Sequence, residues 1–172
     1  RRTLMHAFSE ESAEVLYTNT DITSLTESDM EYLKERARQS PRQRCRLCTH
    51  VTPSSSLHEM LIVHAKGSYI RPHKHANKVE SHHIIEGLAT AVVFDDAGGV
   101  LQTINLGPHS SGHSFYYRMP ADQFHTLIIM SDWFIFHETT TGPFDRSKTI
   151  FAPWSPDESD HQGIDKFLTC LI

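Results

Sequence analysis

The sequence predicts an all-β protein of jelly-roll type with a helix near its N-terminus. Three observations support this class. The chain has 172 residues, which is enough for one hydrophobic core and too few for two domains of ordinary size. From Leu47 onward, short runs rich in β-branched and aromatic residues follow one another, separated by turn residues. Eight such runs within roughly 80 residues are typical of a β-sandwich or barrel.

The N-terminal third supplies the helix. Residues 1–24 are polar and lack a sustained periodicity, so we predict a partly irregular extension there. Thr26 or Ser28 suits the N-cap of a helix that runs to about Gln39 with one apolar stripe. The helix would serve as a scaffold or a dimer contact. We therefore predict that residues 25–58 hold this helix and a lead-in strand.

The eight runs form the predicted barrel, which covers residues 59–141. The clearest turn is Asp95–Gly99, which joins two β-branched runs and predicts a hairpin. Residues 142–172 contain several prolines, so we expect an extended segment packed on the barrel with Phe151 and Trp154 as anchors. The predicted strands are Glu59–Ala65, Tyr69–Lys74, His82–Glu86, Ala89–Asp95, Val100–Leu106, Ser114–Met119, Phe124–Ile129 and Trp133–Thr140.

Charge and composition argue against several classes of partner. The net charge is −5 and the basic residues are scattered, which argues against nucleic acid. The densest basic stretch is interpreted as a solvated face, because two glutamates lie beside it on the predicted helix. No run approaches a membrane span and no signal-peptide pattern is seen, so we expect a cytoplasmic protein without a membrane partner. The arginines of that stretch are Arg36, Arg38, Arg42, Arg44 and Arg46.

The chain has three cysteines, whose scarcity fits a reducing compartment. Cys45 and Cys48 form a C-x-x-C pair, which could be half a zinc site or a redox pair. Because no second pair exists and the surrounding residues predict an edge strand, we favour a structural role for both.

Two histidines and a glutamate suit one metal ion. On an extended strand His73 and His75 project to the same side and can bind a single cation. Glu80 follows across a short turn and can act as a third ligand. Imidazole nitrogen with carboxylate oxygen suits several transition metals, and three protein ligands leave coordination positions free for a substrate.

The spacing Gly-x5-His-x-His-x4-Glu-x6-Gly, realised between Gly67 and Gly87, resembles the first cupin motif at every defining position. The second motif, Gly-x5-Pro-x-Gly-x2-His, is matched in part by Pro120 and His125, with Asp122 and Ser114 in place of its glycines. The resemblance implies a cupin barrel that holds one divalent transition metal ion, Fe, Zn, Mn, Ni or Cu. The implied metal ligands are His73, His75, Glu80 and His125.

Within the cupins, the chain resembles the WbuC family of cupin-fold metalloproteins over roughly residues 25–160. That family is named after a gene of O-antigen clusters, which implies bacterial surface-polysaccharide metabolism without supplying a reaction. Cupins commonly pair through edge strands, which implies a homodimer. The segments that carry the resemblance are residues 40–44, Leu47 with His50, residues 69–75, residues 142–145 and residues 151–156.

Strand alternation adds candidates for the pocket. It places Tyr69 and Arg71 on the same face as the metal-binding histidines. Arg71 would hold a substrate carboxylate or phosphate, because an unpaired guanidinium inside a barrel is costly. The alternatives are an internal partner, such as Glu86 or Asp122, or a bend at Pro72 that breaks the alternation.

His82 falls on the same inward parity as Glu80, which makes it a candidate general base or a group that supports the ligands. His83 would face outward. We name His82, Arg71 and Tyr69 as catalytic candidates. The leading hypothesis is an enzyme that acts on a small anionic or sugar-derived metabolite, by isomerisation or epimerisation on zinc or manganese, or by oxygen-dependent cleavage on iron or copper. The alternatives are a binding or sensory module without turnover, and a structural role for the metal.

Overall fold

The computed structural model describes residues 8–171, which form two facing β-sheets and two α-helices. The helices are α1 (Glu27–Gln39) and α2 (His161–Thr169). The strands are β1 (Phe8–Glu10), β2 (Val15–Thr18), β3 (Arg44–Cys48), β4 (Leu57–Ala65), β5 (His73–His75), β6 (Glu80–Glu86), β7 (Ala89–Phe94), β8 (Val100–Leu106), β9 (Tyr116–Met119), β10 (Phe124–Ile129), β11 (Trp133–Thr141) and β12 (Thr149–Phe151).

The sheets have seven and five strands. Their orders are β1-β2-β3-β4-β11-β6-β9 and β12-β5-β10-β7-β8. Neighbouring strands are antiparallel apart from the parallel pair of β2 and β3. The predicted hairpin after β7 is confirmed, because β7 pairs with β8. The predicted jelly-roll class is therefore confirmed, and the main core lies between the two sheets, with buried side chains such as Ile84, Leu106 and Phe134.

Helix α1 covers the outer face of the seven-stranded sheet. Its N-cap is Thr26, whose hydroxyl and backbone N–H form a capping box with Asp29. Leu33 and Ala37 of the predicted stripe are fully buried, against a second cluster that includes Val63 of β4. The predicted helix is confirmed in both its start and its end.

The N-terminal segment differs from the prediction. The irregular extension contains β1 and β2, and the rest of the extension, residues 1–7, lies outside the described part of the chain. Because β2 pairs with Arg44–Cys48, β3 is an interior strand of its sheet and the prediction of an edge strand is wrong. This placement turns alternate residues of β3 toward the space between the sheets.

The C-terminal segment is extended only in part. It contributes β12 and then α2, and α2 was not predicted. Trp154 packs against Phe94 and Phe124 on the outer face of the five-stranded sheet, as expected of an anchor. Phe151 is 49% exposed, so its role as an anchor is weaker than predicted. None of the helices in the described range is long and apolar enough to cross a membrane.

Candidate metal centre

Four side chains from three strands converge between the sheets. His73 and His125 lie opposite each other in the register of β5 and β10, and Glu80 begins β6. Glu80 Oε1 lies 2.7 Å from His125 Nε2, and Glu80 Oε2 lies 3.3 Å from His75 Nε2. The ligand atoms of His73, His75, Glu80 and His125 all lie within 4.8 Å of one another. The residues implied by the motif spacing are thus brought together.

Hydrogen bonds on the far side of each ring orient the histidines. The Nδ1–H groups of His73 and His125 donate to the carbonyls of Arg71 and Gln123, both at 2.8 Å. Nδ1 of His75 lies 3.2 Å from the Thr149 hydroxyl. A histidine that donates through Nδ1 keeps a lone pair on Nε2, which is the tautomer that a metal requires.

The electrostatics of the group suit a cation. Burial lowers the pKa of His73 to about 3, with a further contribution from His125, so this imidazole is neutral. Burial opposes ionisation of Glu80, yet the hydrogen bonds from His125 and His75 hold its pKa well below the usual range. Burial opposes protonation of His125, yet its hydrogen bond to Glu80 raises its pKa, so a metal would displace the proton that Glu80 and His125 share. The imidazole nitrogens and the ionised carboxylate would then form a donor set that fits a divalent transition metal.

Backbone conformation explains two positions of the motif. Gly87 has a φ of +82°, and a Cβ there would lie 1.8 Å from the Trp133 carbonyl oxygen. Asp122, which replaces a motif glycine, has a φ of +61°, and its N–H donates to the His75 carbonyl at 3.0 Å. Aspartate tolerates this left-handed conformation better than most residues. The turn is therefore kept, and the exposed Asp122 side chain stays out of the pocket.

A second polar group, formed by His82, Tyr117 and Glu138, adjoins the candidate metal centre. His82 is buried, and its Nδ1 lies 2.6 Å from the Tyr117 hydroxyl. Burial raises the pKa of Tyr117 well above its usual value, so the phenol keeps its proton. His82 Nε2 lies 3.1 Å from Glu138 Oε2 and 3.8 Å from Glu80 Oε1, and has no hydrogen-bond partner among the described residues. His82 thus faces inward as predicted, whereas His83 is exposed.

Sequence reasoning missed Glu138. It lies opposite His82 in the register of β11 and β6, on the inward face that also carries Phe136. Its inward parity could have been noticed in the predicted strand Trp133–Thr140. Its meeting with His82 depends on a strand pairing that spacing alone does not give.

Two catalytic candidates have other partners. The Tyr69 hydroxyl donates to the Pro156 carbonyl at 3.0 Å, and burial raises its pKa to about 12. Arg71 pairs with Asp157 at 2.8 Å, and its Nε donates to the Ser155 hydroxyl. The expected strand alternation does not hold for this segment, because β5 begins only at His73; Arg71 nevertheless lines the same cavity as His73. Arg71 therefore has an internal partner, although neither Glu86 nor Asp122 provides it.

A cavity of about 450 Å³ adjoins both polar groups. Met60, Ile62 and Phe136 form part of its apolar wall. Arg44 and Arg46 also line it, which corrects the interpretation of the basic stretch as a wholly solvated face. Four protein ligands would close a tetrahedral zinc site but leave positions open on a metal of higher coordination number, and for such a metal the cavity offers space for a small molecule.

The cysteine pair does not form a site. Cys45 belongs to the cluster beneath α1, whereas Cys48 belongs to the core between the sheets, so the two thiols face opposite sides of β3. Burial raises the pKa of each thiol to about 11. Both are free and buried, which supports a packing role.

Comparisons with known proteins define the class. The chain is similar to the DMSP lyase DddQ from Ruegeria pomeroyi DSS-3, with 16% identity, 66% of this chain and 54% of that chain covered, and a TM-score of 0.51. It is also similar to CapF crystallised with the inhibitor 3-isopropenyl-tropolone, with 14% identity, 66% and 32% covered, and a TM-score of 0.52. The chain thus spans about half of DddQ and a third of CapF. These likenesses establish the cupin fold.

A sequence-family model described as a domain of unknown function, DUF6016, matches residues 25–106. No curated protein matches the sequence. The match begins just before α1 and ends with β8, so it includes three of the four residues of the candidate metal centre. His125 comes from the part of the fold beyond it.

Proposed function

We propose that the protein is a metal-dependent cupin enzyme that acts on a small anionic or sugar-derived metabolite, by an isomerase- or epimerase-like reaction. The observation that carries this proposal is the adjacency of two polar groups in one cavity. Glu80 of the candidate metal centre lies 3.8 Å from His82, which in turn lies 3.1 Å from Glu138. A site that only stored a metal would have no need of a second histidine–carboxylate pair beside it.

The metal, when bound to His73, His75, Glu80 and His125, would supply a Lewis acid that polarises a carbonyl or hydroxyl oxygen. Glu138 is the partly exposed member of the second group, with a side chain that is 15% exposed, and it lines the cavity. We assign Glu138 as the base that removes a proton from the substrate. His82, held by Tyr117, would stabilise the two states of the Glu138 carboxyl.

An oxygenase remains the second enzymatic candidate, because the same donor set suits iron or copper. A ligand-binding or sensory cupin is the non-catalytic alternative. The WbuC assignment, a role in surface-polysaccharide synthesis and a homodimer are further proposals that rest on the resemblance of the sequence. A cytoplasmic location is a proposal that rests on the sequence pattern alone. Light scattering on the purified chain tests the dimer.

The reaction class is tested by incubating the metal-loaded protein in D₂O with a panel of small hydroxy acids, keto acids and sugar phosphates. NMR detects deuterium incorporation, and an electrode detects oxygen uptake. We expect deuterium incorporation that Glu138→Gln reduces by about 100-fold or more, as for loss of a general base. His83→Gln, an exposed change next to His82, is the matched control and should retain the rate.

Oxygen uptake without deuterium incorporation would replace the isomerase with an oxygenase. Saturable binding without either signal would favour the sensory module. A Glu138→Gln variant that turns over as fast as the wild type would contradict the assignment of the base.

A further inference from the structure

We propose that the cavity holds an oxyanion, a carboxylate or a phosphate of the ligand, against the guanidinium of Arg46. This inference rests on the proposed function, since the anion would belong to the metabolite that reaches the candidate metal centre. It assigns to Arg46 the role that the sequence had suggested for Arg71.

The Arg46 side chain faces the space between the two sheets. Residues of a strand alternate between its faces. Cys48 of β3 packs in the core between the sheets, whereas Leu47 packs beneath α1. Arg46 is two residues before Cys48 and therefore shares its inward face, in agreement with its place in the wall of the cavity.

Arg46 differs from three other arginines of the cavity in its ion pairs. Three other arginines at this end of the cavity are already paired with carboxylates. Arg46 is partly buried, and its guanidinium makes neither an ion pair nor a side-chain hydrogen bond to any residue from 8 to 171. The paired arginines and their partners are Arg42 with Glu14 at 2.6 Å, Arg44 with Glu14 at 3.2 Å and Arg71 with Asp157 at 2.8 Å.

The charged and titratable groups near Arg46 include Arg42, Arg44 and His64. Burial lowers the pKa of Arg44, and the nearby charges of Arg42 and Arg46 lower it further, although Glu14 opposes them. Burial lowers the pKa of His64 to about 3, with contributions from Arg44 and Arg46, so His64 is neutral beside these two cations. A partly desolvated guanidinium in such a positive environment is costly unless an anion joins it. Its planar fork suits the two oxygens of a carboxylate or phosphate.

The separation of Arg46 from Glu138 limits the size of the ligand. In the strand register, Arg46 lies opposite Ile62, which lies opposite Phe136, and Glu138 is two residues further along β11. Strand spacing and rise then separate the Cα atoms of Arg46 and Glu138 by about 12 Å. Both side chains extend into the cavity from their strands. The gap left between them suits a small metabolite whose anionic group lies a few bonds from its reactive carbon.

Calorimetric titration with inorganic phosphate and with succinate tests this assignment on the full chain, both metal-loaded and metal-free. The metal-free arm removes binding of the anion to the metal. We expect saturable binding in both arms, weakened about tenfold or more in Arg46→Gln and to a smaller extent in Arg46→Lys, which keeps the charge. Arg38→Gln is the matched control, because this guanidinium is paired with Glu35 and does not line the cavity, and it should bind within about twofold of the wild type.

Stronger binding of phosphate than of succinate would identify a phosphorylated metabolite, and the reverse order would identify a carboxylate. The proposal is overturned if neither anion binds, if Arg46→Lys and Arg46→Gln both bind as the wild type does, or if Arg38→Gln loses as much binding as Arg46→Gln. Metal content is measured on the same variants. A wild-type chain that takes up no metal when metal is supplied, yet binds the anions through Arg46, would refute the proposed enzyme and leave this inference intact.

Discussion

Two groups of histidines in this molecule are similarly buried and yet differ in what their nitrogens do. In the candidate metal centre, Nδ1 of His73 and of His125 bonds to a backbone carbonyl, and Nε2 faces the other ligands. His50 and His58 instead stack on each other with ring centroids 3.9 Å apart. Burial therefore does not distinguish a metal ligand from a packing histidine, whereas the convergence of free nitrogens on a carboxylate does.

In the stacked pair of His50 and His58, the ring nitrogens contact backbone groups. His50 Nδ1 lies 3.2 Å from both the backbone N–H and the carbonyl of Glu59, and His58 Nε2 lies 3.1 Å from the Pro53 carbonyl. These hydrogen bonds connect loop residues to β4, and the nitrogens of the two rings do not converge on a common position. The comparison predicts that the two groups respond differently to metal and to substitution, and a third buried histidine, His64, shows the effect of burial alone in its response to acid.

The largest expected difference is stabilisation by metal. Adding Zn²⁺ or Mn²⁺ at about 1,000 times its Kd should raise the free energy of unfolding of the metal-free wild type by about 4 kcal/mol. The His73→Ala/His125→Ala variant should show no such gain, because two ligands are missing. Urea unfolding with and without the ion measures this. An equal gain in that variant would mean that the ion binds elsewhere.

The next difference concerns acid. His64 has a pKa of about 3 in the folded chain against 6.5 for the free side chain, because burial disfavours its charged form. Between these values the unfolded state binds the extra proton, so stability falls as the pH falls, by about 1.4 kcal/mol per pH unit from this group. His64→Gln should remove this contribution, which urea unfolding of both proteins at pH 7 and pH 5 measures. Parallel losses in the two proteins would contradict it.

A smaller effect is expected for the stacked pair. His50→Ala removes the ring contact with His58 and the bonds to Glu59, and should lower the free energy of unfolding by about 1–2 kcal/mol. Its metal content should equal that of the wild type. Loss of metal from this variant would place His50 in the metal-binding group and erase the distinction.

The smallest effect is expected at the turn of the second motif. Asp122→Gly restores the motif glycine at a φ of +61°. Relief of the left-handed strain and the greater freedom of the unfolded chain nearly cancel, so stability should change by less than about 1 kcal/mol. Thermal unfolding measures this, and a large loss would show that the Asp122 carboxylate supports the turn in another way.

Local signals in the sequence predicted a large part of this arrangement. The cap and apolar stripe of α1 depend on neighbouring residues, as does the pairing of His73 with His75 on one strand. The fourth implied ligand, His125, was available only through the resemblance to the second motif. The structure then brings all four together.

What the sequence did not reveal depends on pairings between distant strands. Glu138 meets His82 through the register of β11 and β6, and Arg46 faces inward because the register of β3 and β4 sets it opposite Ile62 of the core. Strands β1 and β2 are only three and four residues long, too short to show a periodicity. Tyr69 was misplaced because strand alternation was extended over residues that precede the start of β5, and the Asp157 partner of Arg71 comes from the distant C-terminal segment.

Elemental analysis of untagged protein purified without oxygen tests the central claim most directly. The wild type is compared with His73→Ala/His125→Ala and with the control His50→Ala/His58→Ala, which removes the same number of imidazoles from the stacked pair. We expect about one equivalent of a transition metal in the wild type and in the control, and none in His73→Ala/His125→Ala. Metal retained without His73 and His125, or lost with the stacked pair, would contradict the assignment of the metal centre.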